Sequence, residues 1–295
     1  VIHCMGGGLG LKSNLIKKID FLKLFNINLF SQSEIKEILK LAALQNINTI
    51  DTAIAYGSSE KNLGKEKLDP FNIITKLQSL PDDKRNISLW VEKEINSSLK
   101  RLNQKKVYGV LLHNTKDLCG IHGSAIYDAL LKLKEKNLIS KIGISIYSPD
   151  ELDEVIPKFK IDIVQSPFNV FDTRLQDSGW MKELYDMNIE IHTRSTFLQG
   201  LLLMDEEKIP SKFSKWKSLF NSWNVEIANK NITKMEACLQ FSCSFKEIDK
   251  VIFGVDNLKQ FKEVMDYNFL NYSYNLNNFS STDESLINPS KWDTL

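Results

Sequence analysis

Residues 107–165 read VYGVLLHNTKDLCGIHGSAIYDALLKLKEKNLISKIGISIYSPDELDEVIPKFKIDIVQ. Three short, mostly apolar runs lie inside this stretch: 107–113 (VYGVLLH), 140–145 (SKIGIS) and 161–165 (IDIVQ). Helical patterns separate them. Ile126, Ala129, Leu130 and Leu133 fall at i, i+3, i+4 and i+7, the spacing of one buried helix face. Ser148-Pro149-Asp150-Glu151 predicts a helix start, with a serine cap, proline at the first helical position and a capping-box glutamate. Strand, helix, strand, helix, strand is the pattern of a parallel sheet with helical crossovers.

The same alternation extends in both directions. Strand runs precede it at 47–51 (INTID) and 72–76 (NIITK), and follow it at 189–194 (IEIHTR) and 249–254 (DKVIFG). The first five residues, VIHCM, add a further strand ahead of these. Ile35, Ile38, Leu39 and Ala42 form another helical stripe, opened by a capping box from Ser31 to Glu34, and Val91, Ile95, Leu99 and Leu102 form a third. Eight strands, each followed by a helix, predict a single (β/α)8 (TIM) barrel as one domain over 1–295. A doubly wound open sheet would leave about a third of the chain without a place. The gap 195–248 predicts a loop and extra helix after the seventh strand. Residues 267–295, rich in Asn and Ser with interspersed aromatics, predict a C-terminal tail, packed across one face or partly disordered. Residues 12–30, with Phe21, Phe25 and Phe30, fit none of these elements. The glycine run Gly6 to Gly10 matches neither G-x-G-x-x-G nor a P-loop; it is either an ordinary turn or a place where backbone approaches a ligand.

Composition narrows the function. The 295 residues carry 38 Lys and Arg against 37 Asp and Glu, a net charge of +1. That balance argues against a nucleic-acid or anionic-membrane footprint. No run approaches 18 apolar residues, and no secretory leader pattern is visible. Cys4, Cys119, Cys238 and Cys243 form no CxxC pair and no ligand cluster with histidine, so no metal site is expected and a cytoplasmic location fits best.

Side chains two apart on a strand share a face. Asp51, Lys76 and His113 each end an otherwise apolar run on three successive strands. Barrel enzymes place their chemistry at that end of the strands. Tyr56 stands five residues beyond Asp51. A neighbouring ammonium lowers a phenol's pKa, so Lys76 can make Tyr56 a general acid while Asp51 holds Lys76 charged. The plainer alternative is a buried ion pair, a core histidine and a rim aromatic.

These residues carry a resemblance to the aldo-keto reductase superfamily. It rests first on Asp51-Thr52-Ala53-x-x-Tyr56-Gly57-x-Ser59-Glu60, followed by Asn62-Leu63-Gly64. It continues through Ile73-Ile74-Thr75-Lys76, Leu111-Leu112-His113, Lys141-Ile142-Gly143-Ile144-Ser145, Val164-Gln165, Gln199-Gly200-Leu201-Leu202 and Ile252-Phe253-Gly254. The resemblance implies NADPH- or NADH-dependent reduction of a small carbonyl compound, with Asp51, Tyr56, Lys76 and His113 as the catalytic set. It implies cofactor contacts at Ser145, Gln165, Arg194, Ser195, Phe197, Gly200, Gly254, Gln260 and Glu263. Two departures stand out. Arg194 occupies the place of the usual nicotinamide-stacking aromatic, and no arginine lies in 252–266 to grip a 2′-phosphate. Acidic Asp256 near the ribose end points toward NAD instead.

Two other readings stay open. One is a nucleotide-sensing or partner-binding subunit on the same barrel with little turnover. The other makes Lys76 a Schiff-base lysine, although that chemistry wants a neutral amine and Asp51 favours the charged one.

Overall fold

The computed structural model describes residues 21–24, 30–81, 86–266 and 276–295. Eight parallel strands close into a barrel in sequence order, β1 pairing with both β2 and β8. They are β1 Phe21–Leu24, β2 Thr49–Asp51, β3 Asn72–Leu77, β4 Val107–Leu112, β5 Ile139–Ser145, β6 Ile163–Pro167, β7 Glu190–Arg194 and β8 Lys250–Val255. Seven of these lie within a residue or two of the runs expected from sequence. The first does not. The expected VIHCM strand lies outside the described residues, and the segment that closes the barrel is Phe21–Leu24, inside the stretch that fitted no element. The Gly6 to Gly10 run also lies outside the described residues.

The helices sit outside the strands: α1 Gln32–Leu44, α2 Ser59–Leu63, α3 Ile87–Leu102, α4 Lys116–Cys119, α5 Gly123–Glu135, α6 Asp150–Val155, α7 Arg174–Asp177, α8 Trp180–Asp186, α9 Lys217–Lys230, α10 Lys234–Ser244, α11 Leu258–Met265 and α12 Glu284–Ile287. The apolar stripes are their buried faces: Ile35, Ile38, Leu39 and Ala42 on α1, and Ile126, Ala129, Leu130 and Leu133 on α5. Ser31 caps α1 in a full capping box. At α6 only half of the expected box forms. Glu151 accepts from the Tyr147 and Ser148 amides at 2.6 and 2.8 Å, but the Ser148 hydroxyl turns to Asp150 at 3.3 Å. The Glu151 amide, which that hydroxyl would cap, donates to Ser148 O at 3.2 Å instead.

Inside the barrel, Ile74, Leu111, Ile163 and Ile252 form a separate apolar cluster. Gly143 makes that packing possible: a Cβ there would meet Leu111 Cδ2 at 2.4 Å and Ile163 O at 2.5 Å. The long segment after β7 contains three 3-10 turns and two helices, α9 and α10, so the extra helix expected there is present. The end of the chain is packed. Leu276, Phe279, Leu286 and Ile287 are buried, and Phe279 meets Trp223 of α9 edge to face at 5.4 Å.

Candidate active site at the barrel mouth

Strand register places the key side chains. Asp51 pairs with Ile74 and Lys76 with Leu111, so residues 74 and 76 share the inward face with the interior cluster. By the same alternation Ser145 lies two residues beyond Gly143, and Gln165 two beyond Ile163, both inward and in register with each other. All reach the C-terminal ends of their strands, where a barrel's loops form its mouth.

Lys76 and Asp51 meet there. Lys76 Nζ donates to both Asp51 carboxylate oxygens at 2.6 Å and to Thr52 O at 3.1 Å, with both side chains fully buried. Burial pushes the Lys76 pKa below the ordinary lysine range; Asp51 opposes that shift and the Arg194 charge adds to it. Lys76 Nζ stands 5.3 Å from the centre of the Tyr56 ring, and that ring meets His113 edge to face at 5.8 Å. His113 follows β4 directly, its amide donating to Leu77 O at 3.0 Å. The four side chains expected to converge are therefore brought together.

The loop that carries Tyr56 is pinned to β3. The Thr52 amide donates to Ile74 O at 2.8 Å and the Ile54 amide to Lys76 O at 3.2 Å. Four residues past Tyr56, the buried Glu60 accepts from Thr75 Oγ1 at 2.6 Å, Ser98 Oγ at 2.5 Å and Arg101 Nε at 2.7 Å. One carboxylate thus ties the tyrosine loop to the neighbour of Lys76 and to α3. Ser98 and Arg101 belong to this clamp and carried no mark in the sequence, because their partner is about forty residues away in the chain.

A cavity of about 410 Å³ opens beside the mouth. Seven of the nine expected cofactor positions line it: Arg194, Ser195, Phe197, Gly200, Gly254, Gln260 and Glu263. Its wall contains unusual backbone. Ser195 and Gln199 have φ of 64° and 53°, and Gly200 has φ of 85°. Left-handed backbone at a serine and a glutamine costs energy, and such strain collects where a ligand is held. The Gln260 side chain is turned back to accept from the Asp256 amide at 2.7 Å.

The other two positions, Ser145 and Gln165, lie deeper. Gln165 Nε2 donates to Asp51 Oδ1 at 3.0 Å, while its buried Oε1 has no hydrogen-bond partner among the described residues. A buried acceptor of this kind calls for a donor. The carboxamide NH2 of a nicotinamide is such a donor, so Gln165 fits the carboxamide end of that cofactor.

Arg194 does not stand alone at the end of β7. Its guanidinium stacks on Tyr147 at 4.8 Å, Nη2 donates to Ile146 O at 3.0 Å and Nη1 to Ser195 Oγ at 3.4 Å. Tyr147 was missed in the sequence. The strand run was read as ending at Ser145, although alternation puts 147 on the same face.

The model of the aldo/keto reductase family matches residues 23–281. The uncharacterized oxidoreductase YqkF of Bacillus subtilis is 24% identical over 253 residues, covering 77% of this chain and 79% of YqkF. The aldo-keto reductase YhdN of the same organism is 28% identical over 156 residues, 48% of this chain and 46% of YhdN. Among solved structures, the holo form of aldo-keto reductase AKR11C1 from Bacillus halodurans superposes with a TM-score of 0.69 at 19% identity, covering 84% of this chain and 87% of that one. The glycerol dehydrogenase AKR11B4 from Gluconobacter oxydans gives 0.67 at 19% identity, over 85% and 87%. At such identities the superpositions speak for the fold, whereas the family match spans nearly all of the barrel. The chain belongs to the aldo/keto reductase family and is an NAD(P)H-dependent oxidoreductase.

Proposed function

We propose that the protein reduces an aldehyde, ketone or sugar-like carbonyl to the alcohol, with Tyr56 as the general acid. The observation that carries this reading is the convergence of Tyr56, His113 and the buried Lys76–Asp51 pair at one mouth. A bound reduced nicotinamide supplies the hydride to the carbonyl carbon. Tyr56 gives its phenolic proton to the carbonyl oxygen, and the phenolate is reprotonated from solvent. Lys76, held by Asp51, stabilises the phenolate that forms. His113 orients the carbonyl by a hydrogen bond. Ser145 and Gln165 hold the carboxamide, and the 195–200 and 254–263 walls take the rest of the dinucleotide. Gly200 and Gly254 let backbone lie close to it, and Glu263 and Gln260 stand at its adenosine end.

Both NADH and NADPH are accepted, with less than about a hundredfold preference. A strong NADP enzyme commits an arginine to the 2′-phosphate. Here Asp256 and Gln260 line that end of the cavity, and the nearby Lys259 leans toward Glu263 at 3.8 Å. Titration with each reduced cofactor, followed by a panel of aldehydes, ketones and sugars, tests the reading. Oxidation of NADH or NADPH by at least one carbonyl supports it. Binding without turnover across the panel would make the protein a nucleotide-binding subunit instead, and a thousandfold preference for NADPH would reveal a cation contributed by another loop.

A further inference from the structure

Among the described residues two cations stand at the mouth, and one of them is paired with a carboxylate. Lys76 faces both oxygens of Asp51 at 2.6 Å. Arg194 has no carboxylate within 4 Å among the described residues; its partners are a tyrosine ring, a carbonyl and a hydroxyl. The carboxylates whose charge it feels from farther off are Asp51 and, more weakly, Asp172, and each is already claimed: Asp51 by Lys76, and Asp172 by Arg174 through Nε at 2.8 Å and Nη2 at 2.9 Å. Arg194 pairs in register with Pro167, two residues beyond Gln165, so it lies one layer above the unpartnered Gln165 Oε1. It also lines the cavity. A guanidinium remains charged even when burial disfavours it. A ligand that runs from Gln165 into the cavity therefore passes beside an uncompensated positive charge.

We propose that Arg194 sorts the two oxidation states of the cofactor, favouring the uncharged reduced nicotinamide and disfavouring the cationic oxidised ring. The proposal rests on the cofactor reading above. The two forms differ by one positive charge on the ring and share the same pyrophosphate, so a fixed cation near the ring acts on their difference. A contact to the pyrophosphate would act on both forms alike. In a half-buried site, charges several ångströms apart discriminate by roughly ten- to a hundredfold. The site thereby holds its reactant form of the cofactor more tightly than the form it releases.

Fluorescence or calorimetric titration of the wild type, Arg194→Met and Arg194→Lys with reduced and oxidised cofactor tests this, after unfolding curves confirm that each variant is folded. The wild type should bind the reduced form at least tenfold more tightly than the oxidised. In Arg194→Met that ratio should fall about ten- to a hundredfold, chiefly because the oxidised form binds better. Arg194→Lys keeps the charge and loses the plane, so it should retain most of the ratio. Equal loss of both forms in Arg194→Met would make Arg194 a pyrophosphate contact and overturn the proposal, as would an unchanged ratio. If the wild type binds neither form, the cofactor reading itself falls, and this inference with it.

Discussion

The two ends of the barrel carry the same four kinds of side chain and put them to different uses. At the mouth stand Asp51, Tyr56, Lys76 and His113. At the opposite end, near the starts of β4, β5 and β7, stand Tyr108, Lys141, Glu190 and His192. There Tyr108 donates to Glu190 Oε1 at 2.6 Å, Lys141 to the same oxygen at 2.5 Å, and His192 lies 3.2 Å from Oε2. The distant cluster ties its tyrosine directly to the carboxylate. Burial and the hydrogen bond to Glu190 raise the Tyr108 pKa, away from the range of a usable acid. In both clusters a lysine lies over the tyrosine ring, at 5.1 Å for Lys141 and Tyr108 and 5.3 Å for Lys76 and Tyr56, but at the mouth Lys76 takes up both oxygens of its carboxylate. Composition is therefore no guide to which cluster is chemical. What separates them is the order of the pairings and the cavity beside one of them.

The sharpest way to break this comparison is to remove the two phenols. Tyr56→Phe should lower carbonyl reduction by roughly 10²- to 10⁴-fold while leaving cofactor affinity nearly unchanged. Tyr108→Phe should leave turnover within about threefold of wild type and cost about 1 kcal/mol of stability for its hydrogen bond. Steady-state rates on the same carbonyl, with cofactor titrations alongside, decide it. Comparable rates for the two variants would remove Tyr56 as the proton donor.

The lysines sharpen the contrast in stability. Lys76→Met leaves Asp51 buried with only Gln165 and should cost on the order of 3–5 kcal/mol. Lys141 is 30% exposed, so Lys141→Met should cost about 1 kcal/mol. Combining Asp51→Asn with Lys76→Met should recover part of the first loss, because the stranded charge is gone. Urea unfolding of Lys76→Met, Asp51→Asn, their double variant and Lys141→Met measures this, and strictly additive losses at 51 and 76 would mean that the two side chains do not depend on each other.

Much of the mouth was legible because it obeys short-range rules. Asp51, Lys76 and His113 end apolar runs, and alternation alone puts the first two inward. The opposite cluster was not legible, since Lys141 and Glu190 sit at strand beginnings, where a charged residue looks like ordinary solvent-facing polarity. Their meeting depends on the barrel closing, 49 residues apart in sequence. β1 was missed for a related reason. FLKL lies among many alternating Lys, Ile, Leu and Phe residues with no turn signal to bound it, and only pairing with β2 and β8 marks it out. The Glu60 clamp was visible as a motif but not as a mechanism, because Ser98 and Arg101 come from a helix on the outside of the barrel.

Acid should expose the difference between the two ends most gently. Burial by itself would raise the Glu190 carboxyl, but hydrogen bonds from His192, Lys141 and Tyr108 outweigh it and bring the pKa down from 4.5 to about 2. The folded protein therefore keeps this carboxylate charged at a pH where the unfolded chain has protonated it. That stabilisation is fully present above 4.5 and is lost as the pH falls toward 2. Because the side chain is partly solvated, screening reduces its worth to about 1–2 kcal/mol. His192 acts in the same direction: burial depresses its pKa, so protonating it as the pH drops below the ordinary 6.5 also costs stability. Glu190→Gln should remove the carboxylate's share and, by taking away the partner that holds the His192 pKa up against burial, depress the histidine further. Between about pH 4.5 and 2 the wild type should therefore lose the carboxylate's stabilisation in urea unfolding, a loss that Glu190→Gln lacks. Equal losses in the two proteins between pH 4.5 and about 3 would assign the acid sensitivity to carboxylates elsewhere in the barrel.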